Sequence, residues 1–416
     1  MIKKEKSLMI LSQYFYPDLA ATGQLLTELA EDLTSYGYHI KVLTAKPSYY
    51  KNKEKYLKEE IYQGIDIYRV FATKFNKNMI SGRLFNFLSY FISVSFKLLF
   101  SKNEHLLLIV SNPPFLPFLG YLLKQIKNQK YIYLVHDIYP DIAIRLGYLK
   151  KNSIIAKIWK QIHYRILKKA EEIVVLGNYM AEKIKEKYPE IDNNKFKIIH
   201  NWADEKKILP VKKEDNWFVK KYHLSKKLVI LYSGNIGLFQ DLKSIIKAAE
   251  GLKKHEDLLF LFIGDGGGLK ELKRLTKEFN LSNVKFLPYQ LKQDLSFSLS
   301  AADISIVAME KGIEGLAVPS KLYGILASGR AVLGLVGKNC EVAEIIEDAK
   351  CGFRIDQGDV NKIIERIKYI YDNPETLKIM GKNSRQYFEE HFTRGKITKR
   401  YYEVIENVNK RREITY

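Results

Sequence analysis

Residues 228–242 read LVILYSGNIGLFQDL: an apolar run, a glycine-rich turn and the start of a helical pattern. A short apolar run without polar alternation is typical of a strand buried on both faces of a sheet. Gly234, Asn235 and Gly237 form the turn before the helix. The residues therefore predict a βα unit of a parallel sheet, with bare backbone that can approach an anion at the helix start.

The same unit recurs in both directions along the chain. Upstream the apolar runs are LMILSQYF, YHIKVLT, HLLLIVSN, KYIYLVHD, EEIVVLGN and FKIIHN, and downstream they are LLFLFIGDGGG, VKFLPY, ADISIVAM and AVLGLVG. Helical patterns separate them. Continuous apolar strands alternating with helices predict α/β sheets covered on both faces. We expect two doubly wound, Rossmann-like domains that face each other across a ligand-binding cleft.

A charged segment, residues 204–227, interrupts the alternation of apolar runs and helical patterns. At 416 residues the chain exceeds what one hydrophobic core usually supports, so two domains are expected. We place them at residues 1–209 and 210–393. From residue 394 the pattern is helical, basic and aromatic, and we expect this last helix, residues 394–416, to return to the first domain.

The chain is strongly basic, with 68 Lys and Arg against 47 Asp and Glu and a formal net charge of +21. Such a surface favours nucleic acid, anionic lipid or a phosphorylated substrate as partner. Cys340 and Cys351 come without a CxxC motif or a His cluster, so they are interpreted as reduced core thiols and no metal site is expected. Gln13 and Pro17 break the first apolar run, which argues against a signal peptide and favours a cytoplasmic protein.

Residues 84–100, LFNFLSYFISVSFKLLF, are the most apolar part of the chain but are slightly short for a bilayer span. Their polar members, Asn86, Ser89, Ser93 and Lys97, form one narrow stripe on a helix. The pattern fits a helix on an anionic membrane surface, and it fits equally a helix packed wholly inside the first domain. Basic residues surround it in the sequence: Lys74, Lys77, Arg83, Lys97 and Lys102.

Several loops at predicted strand ends carry residues suited to anions. In VPSKL, Ser320 is a predicted N-cap and Lys321 lies in the first helical turn, where the helix dipole favours negative charge. The glycines of FIGDGGG do not form GxGxxG, and each glycine loop alone could be a simple turn. Several such loops in one chain make a diphosphate site the better interpretation. His136 and Asp137 follow another strand, where structural and ligand-binding roles both remain open.

Seven segments in a fixed order resemble the bacterial glycosyltransferases of family 4, in particular the branch of L-fucosaminyltransferases and colanic-acid or exopolysaccharide transferases. The segments are YPDLAATGQLLTELAEDLTSYGYHIKVLTAKPSY, SNPPF, VHDIYPDIAIRLG, IIHNWAD, YSGNIG, FIGDGGG and EGLAVPSKLYGILASGRAV. The resemblance implies the GT-B fold, an acceptor on the amino-terminal domain, a nucleotide-diphosphate sugar in the carboxyl-terminal domain, and retention at the anomeric carbon.

The resemblance also implies roles for individual residues. His136 would lie beside the transferred sugar, and Lys321 and Glu314 would act in catalysis. The remaining residues fall into three groups: Gly23, Gly234, Asn235, Gly237, Ser320 and Lys321 at the donor diphosphate; Gly264, Asp265, Leu287, Tyr289 and Gly324 at the nucleoside; Asp137 and Asn112 on the acceptor side. Neither a metal nor another cofactor is implied.

One position departs from the family pattern. Many members have Glu-x7-Glu, with the second Glu on the donor ribose, but here that position is Gly324 and the earlier one is Leu316. A loop shift would let Glu314 take the role of the first Glu. More of the interaction with phosphate would then fall to Lys321.

The sequence thus predicts a retaining glycosyltransferase that moves a hexose or amino-hexose, from a UDP-sugar rather than a GDP-sugar, to a polyprenyl-diphosphate-linked saccharide for surface polysaccharide. It would work as a peripheral protein on the inner face of the cytoplasmic membrane. A sugar-nucleotide epimerase of similar architecture is the alternative. A non-catalytic binder of membrane or nucleic acid is less favoured, because it gives no reason for the glycine and serine loops, and no nucleic acid partner is expected.

Overall fold

A computed structural model describes residues 6–47, 56–76, 79–101, 105–238 and 240–413. For residues 412 and 413 it describes the backbone alone. The chain forms two compact units. The first holds the residues up to His200 together with those from Gly395 onward, and the second holds Asn201–Arg394.

The first unit is built on one eight-stranded sheet. Its elements are β1 (Ser7–Leu11), α1 (Ala21–Ser35), β2 (His39–Ala45), β3 (Glu59–Tyr62), β4 (Ile65–Val70), α2 (Ile80–Leu99), β5 (Leu106–Val110), α3 (Leu116–Lys127), β6 (Tyr131–Val135), α4 (Asp141–Arg145), α5 (Ile154–Lys169), β7 (Glu172–Val175), α6 (Asn178–Lys187) and β8 (Phe196–Ile198). The strand order is β3-β4-β2-β1-β5-β6-β7-β8, and all pairs are parallel except β3 with β4. The order reverses between β1 and β5, which makes that position the switch point of the sheet.

The second unit is built on a six-stranded parallel sheet. Its elements are α7 (Trp217–Tyr222), β9 (Leu228–Ser233), α8 (Leu242–Gly251), β10 (Leu258–Ile263), α9 (Leu269–Glu278), β11 (Val284–Leu287), α10 (Leu295–Ser300), β12 (Ile304–Ala308), α11 (Lys321–Ala327), β13 (Ala331–Leu335), α12 (Glu341–Ala349), β14 (Gly352–Ile355), α13 (Val360–Asp372) and α14 (Glu375–His391). The order β11-β10-β9-β12-β13-β14 has its switch point between β9 and β12. Both sheets confirm the predicted doubly wound α/β architecture.

The core of the second unit lies on both faces of its sheet. Ile230 and Tyr232 of β9 pack into one apolar cluster, while Val229 and Leu231 pack into the other. This arrangement explains why LVILY shows no polar alternation, because each face of a central parallel strand is covered by helices.

The boundary between the units differs from the predicted one. Residues 201–211 hydrogen-bond within the second unit: the Leu209 amide donates to Ser296 Oγ at 2.8 Å and the Val211 amide donates to Ser300 Oγ at 3.1 Å. The division therefore falls after His200 and not after residue 209. The charged composition of this segment marked a surface connection but did not show which unit it binds.

The last helix, α15 (Arg394–Glu413), packs on the first unit as predicted. Glu406 accepts hydrogen bonds from Lys6, at 2.8 Å, and from the Tyr38 hydroxyl, at 2.5 Å. Arg411 pairs with Glu172 of β7. Burial of Glu172 explains why this pairing holds the helix, because a buried carboxylate needs a partner.

Both cysteines are free and buried, as interpreted from the sequence. Burial raises the pKa of Cys340 to about 11 and that of Cys351 to about 12. Both thiols are therefore protonated and unreactive at neutral pH.

Helix α2 covers the predicted apolar segment, and three of the four residues of its polar stripe are buried or half-buried, whereas Lys97 is exposed. Asn86 is buried, where its Oδ1 accepts hydrogen bonds from the Thr73 hydroxyl and the Phe75 amide, both at 2.9 Å. Much of the apolar side is exposed, including Leu84, Ile92 and Phe96. The alternative in which this helix is wholly buried in the first domain is therefore wrong. In the part of the chain that the structure describes, no helix is long and apolar enough to cross a bilayer.

Candidate functional site

The switch point of the second unit opens at the carboxyl ends of β9 and β12. These strands pair only through Ile230 and Leu231 with Ile304 and Ser305. Beyond these pairs the register of the two strands ends, which leaves space where ligands bind in sheets of this kind. The loop after β9, residues 234–237, borders this space.

The loops after β9 and β10 pack directly against each other, and glycine makes this possible. A Cβ on Gly264 would lie 1.9 Å from the Gly234 carbonyl oxygen, and one on Gly266 would lie 2.3 Å from that of Ile236. Both glycines have positive φ, +141° and +153°. These glycines thus have a structural reason in loop packing, and their predicted contact with a ligand stays a prediction.

Lys321 is the first residue of α11, and its ammonium lies in the switch point against Tyr232. Nζ donates a hydrogen bond to the Tyr232 hydroxyl and lies 3.9 Å from the centre of that ring. Burial lowers the pKa of Lys321 to about 7. Within the described residues no carboxylate pairs with this ammonium. The group is therefore a desolvated cation, and the hydroxyl with which it pairs in the described part of the chain is neutral.

A network joins Lys321 to the glycine loop. The Tyr232 hydroxyl lies 2.7 Å from the Asn235 carbonyl oxygen and 2.8 Å from Gln240 Oε1, which also accepts the Gly237 amide proton at 2.8 Å. Tyr232 is fully buried. Hydrogen bonds thus connect the ammonium to the turn that precedes α8.

Ser320 occupies the predicted N-cap position of α11 but does not cap it. Its side chain makes no capping hydrogen bond, and its backbone is already in the helical region. The position of Ser320 just before the helix and of Lys321 in its first turn was therefore predicted correctly, but the capping hydrogen bond was not. The Ser320 hydroxyl has no partner among the described residues, so it can serve a ligand.

Four of the five residues predicted for the nucleoside, all except Gly324, lie together at the ends of β10 and β11. The Gly264 amide donates to the Leu287 carbonyl at 2.9 Å, and the Tyr289 hydroxyl donates to the Asp265 carbonyl at 3.3 Å. The Asp265 carboxylate accepts the Gly266 amide at 2.8 Å. The Tyr289 ring is half exposed, which leaves one side available for a base.

Glu314 and Gly324 are placed differently from each other. The Glu314 carboxylate accepts the Gly312 amide proton at 2.5 Å and the Gln357 side-chain amide at 2.6 Å. These two hydrogen bonds fix the Glu314 carboxylate against its own loop and Gln357, so the side chain is not simply solvated. A Cβ on Gly324 would meet Leu299 at 3.5 Å. The catalytic role of Glu314 and the nucleoside role of Gly324 stay predictions.

In the first unit, His136 follows β6 and lies beside the start of α1. Its Nδ1 is 3.4 Å from the Thr22 hydroxyl. The buried Ser111 hydroxyl accepts the amide protons of His136 and Asp137, both at 3.0 Å, which fixes the start of their loop. Burial lowers the pKa of His136 to about 4 and raises that of Asp137 to about 6. The imidazole is therefore neutral at pH 7 and is able to donate and accept hydrogen bonds.

Gly23 and Asn112 lie at the same carboxyl edge of the first sheet. A Cβ on Gly23 would be 3.2 Å from the Phe15 amide nitrogen, so glycine lets α1 approach the loop after β1. Asn112 follows β5, and its buried Oδ1 has no hydrogen-bond partner in the described parts of the chain. This oxygen is an acceptor that an incoming hydroxyl would satisfy.

Sequence reasoning missed four residues that position the candidate groups: Tyr232, Gln240, Thr22 and Ser111. Tyr232 is a polar-tipped side chain at the end of an apolar strand, and that signal was readable from YSGNIG. The other three owe their position to contacts between separate loops. In the described ranges, which end at residue 413, no group of three His, Cys, Asp or Glu side chains is arranged to hold a metal.

Two family models match the chain in succession. The model described as Glycosyltransferase Family 4 matches residues 22–207, and the model described as Glycosyl transferases group 1 matches residues 213–387. The first range falls almost entirely in the first unit and the second range falls in the second unit. The succession of models follows the two sheets.

Two relatives extend this match. WbjE of Pseudomonas aeruginosa, described as a glycosyltransferase, is 31% identical over 62% of this chain and 64% of its own length, which is less than two thirds of that relative. WcaI of Escherichia coli, described as a colanic acid biosynthesis glycosyl transferase, is 26% identical over 76% of this chain and 79% of its own.

Solved structures share the fold. Sucrose-phosphate synthase from Thermosynechococcus elongatus has a TM-score of 0.76 at 16% identity and covers 97% of this chain and 99% of its own. HepE from Anabaena, in complex with UDP and glucose, has a TM-score of 0.72 at 13% identity and covers 97% and 100%. The fold is therefore GT-B. The two family models on two Rossmann-like units show that this chain belongs to glycosyltransferase family 4, and it is a glycosyltransferase.

Proposed function

We propose that the protein transfers a hexose or amino-hexose from a UDP-sugar to a lipid-linked saccharide in surface polysaccharide biosynthesis, with retention at the anomeric carbon. The proposal places the donor in the second unit and the acceptor on the first. It places the enzyme on the inner face of the cytoplasmic membrane. It requires neither a metal nor another cofactor.

The observation that carries the proposal is the desolvated ammonium of Lys321, which pairs with the hydroxyl of the buried Tyr232. A buried cation without an opposite charge is costly, and a bound anion removes that cost. The neighbouring glycine loop, residues 234–237, supplies backbone to the same space. A donor diphosphate fits this combination, because it is anionic and gains further negative charge when the sugar leaves.

The chemistry follows from charge. The sugar gains positive character at its anomeric carbon while its bond to the diphosphate breaks, so a fixed ammonium at the leaving group lowers the barrier. In a front-face reaction the departing diphosphate takes the proton of the acceptor hydroxyl, and that oxygen forms the new bond on the same side. Nuclear magnetic resonance of the first-formed product reports its anomeric configuration. Inversion would contradict this mechanism.

The names of similar proteins support the polysaccharide part of the proposal. WcaI is described as a colanic acid biosynthesis enzyme, and HepE was solved with UDP and glucose. Sequence reasoning left a sugar-nucleotide epimerase open as the alternative. Family membership favours transfer, and incubation with donor alone separates the two: an epimerase changes the sugar without an acceptor.

UDP is expected to raise the melting temperature of the protein, whereas GDP is expected to do so less. A ligand at about one hundred times its dissociation constant stabilises the folded state by roughly 2.7 kcal/mol. Differential scanning fluorimetry with UDP, GDP and their sugars measures this effect, with uridine and guanosine as controls that lack phosphate. Equal shifts from UDP and uridine would argue against a diphosphate site, and a larger shift from GDP would contradict the preference for UDP.

The affinity for a UDP-sugar is expected to fall as the pH rises above 7. The pKa of Lys321 is about 7 in the free protein, so the ammonium is present below this value and is lost above it. Binding of a dianionic donor above pH 7 then requires uptake of one proton, which weakens binding by up to about tenfold per pH unit. UDP-glucose is the suitable probe, because its diphosphate does not titrate in this range. Calorimetry measures the dissociation constants, and Lys321→Met is expected to abolish the slope. A flat curve for the unaltered protein would exclude Lys321 from the anion site.

A further inference from the structure

The exposed side of α2 forms an apolar stripe along the whole helix. Its buried residues recur every four positions, as does one set of large exposed apolar residues, and the two sets are offset by two residues, which places them on opposite sides. The buried set is Gly82, Asn86, Tyr90, Val94 and Leu98, and the exposed set is Leu84, Leu88, Ile92, Phe96 and Phe100. The helix therefore buries Tyr90, Val94 and Leu98 and also exposes a second set of large apolar residues, whereas the outer face of a surface helix is normally polar.

The start of α5 in the same unit is also exposed and apolar. Ile154, Ile155 and Ile158 are all exposed, although each is a large aliphatic residue in the first two turns. Tyr148, six residues before α5, accepts a hydrogen bond at 3.1 Å from Arg83 in the first turn of α2. This hydrogen bond ties the first turn of α2 to the segment that leads into α5. We call the exposed set of α2 together with these three isoleucines the apolar face.

The charge around the apolar face is of one sign. Residues 67–103 and 142–170 contain no Asp or Glu, although the chain has 47 of them. The second range alone contains eight Lys or Arg. Lys74, Lys97, Lys150, Lys151 and Lys157 are exposed, while Lys77 and Lys102 lie outside the described residues. Exposed apolar side chains on segments whose charged residues are all cationic match a bilayer with anionic headgroups.

We propose that the apolar face inserts into the surface of an anionic bilayer. The aromatic and aliphatic side chains enter the boundary between headgroups and acyl chains, and the surrounding lysines contact the headgroups. A helix that follows a parallel strand starts at the carboxyl edge of the sheet, so the apolar face begins at the same edge as His136 and Asn112. A saccharide carried on a lipid would reach these residues without leaving the membrane, a step that rests on the proposed function.

Flotation with vesicles tests the apolar face without donor or acceptor. The unaltered protein is expected to float with vesicles of phosphatidylcholine and phosphatidylglycerol, to float much less with phosphatidylcholine alone, and to be released in part by high salt. The double variant Ile92→Glu with Phe96→Glu is expected to lose at least about tenfold in binding, because it places two carboxylates in the acyl region. Both positions are already exposed, 57% and 69%, so the fold is expected to tolerate the change.

The matched control is Ile379→Glu on α14 of the second unit, where the side chain is 63% exposed. Its binding is expected to stay within about twofold. Equal flotation with both vesicle types, equal loss in the control, or unchanged binding of the double variant would overturn the proposal. So would a dimer that dissociates in the double variant without vesicles, because the face would then belong to a second copy. Stabilisation by UDP, measured on the same variants, reports the donor site separately.

Discussion

Lys321→Met is expected to lower kcat by about one hundred- to one thousand-fold, the range found when a group that stabilises developing charge is removed. The ammonium acts on negative charge that grows as the diphosphate leaves, so its loss raises the barrier more than it weakens ground-state binding. Methionine keeps most of the volume packed on Tyr232. The measurement is kcat with a saturating donor, alongside the dissociation constant of uridine, which carries no phosphate.

The control for this variant is Lys382→Met, an exposed lysine on α14. It removes the same charge from the same unit and is expected to leave kcat within about twofold. If Lys321→Met raised only the KM for donor, with kcat intact, the ammonium would bind substrate and transition state equally. The assignment of Lys321 to the leaving group would then be wrong.

His136→Ala is expected to reduce transfer by about one hundred-fold or more without unfolding the protein. Because the pKa of His136 is about 4, its imidazole is neutral during catalysis and can donate and accept hydrogen bonds at the reacting sugar. His136→Gln keeps one donor and one acceptor and is expected to recover part of the rate. Initial rates with donor and acceptor measure the effect.

Circular dichroism and the melting temperature separate catalysis from folding in this variant. Thr22→Val removes the hydroxyl near Nδ1 and leaves the imidazole in place, so its rate is expected to lie between those of the unaltered protein and His136→Ala. Activity of His136→Ala within about twofold corresponds to roughly 0.4 kcal/mol in the barrier. That result, or unfolding of the variant, would give His136 a structural role only.

The local sequence determined the repeated βα units. Runs such as LVILY and LLFLFI are apolar at every position, and only a parallel sheet covered on both faces buries such a strand fully. Glycines at the strand ends likewise predicted the loops that the structure shows after β9 and β10. The resemblance to family 4 rested on the same segments, and the comparisons confirm it.

Tertiary contacts decided what these loops do. Gly264 and Gly266 are glycines because carbonyl oxygens of another loop occupy the space of a Cβ, and no local pattern reports that distance. Lys321 was found from its motif, but its neutral partner Tyr232 lies 89 residues away in the sequence. The switch point alone brings these two side chains together, since β9 and β12 separate beside α11.

The orientation of α2 shows most clearly that tertiary contacts decide what a local sequence pattern leaves open. Periodicity gave two sides of the helix, one polar and one apolar, but it could not say which side packs on the sheet. That choice depends on partners elsewhere, because the Phe75 backbone and the Thr73 hydroxyl satisfy Asn86 and make its burial possible. Sequence by itself therefore determined the fold and the helix, whereas only the tertiary structure decided which apolar residues of α2 are buried with Asn86 and which face outward.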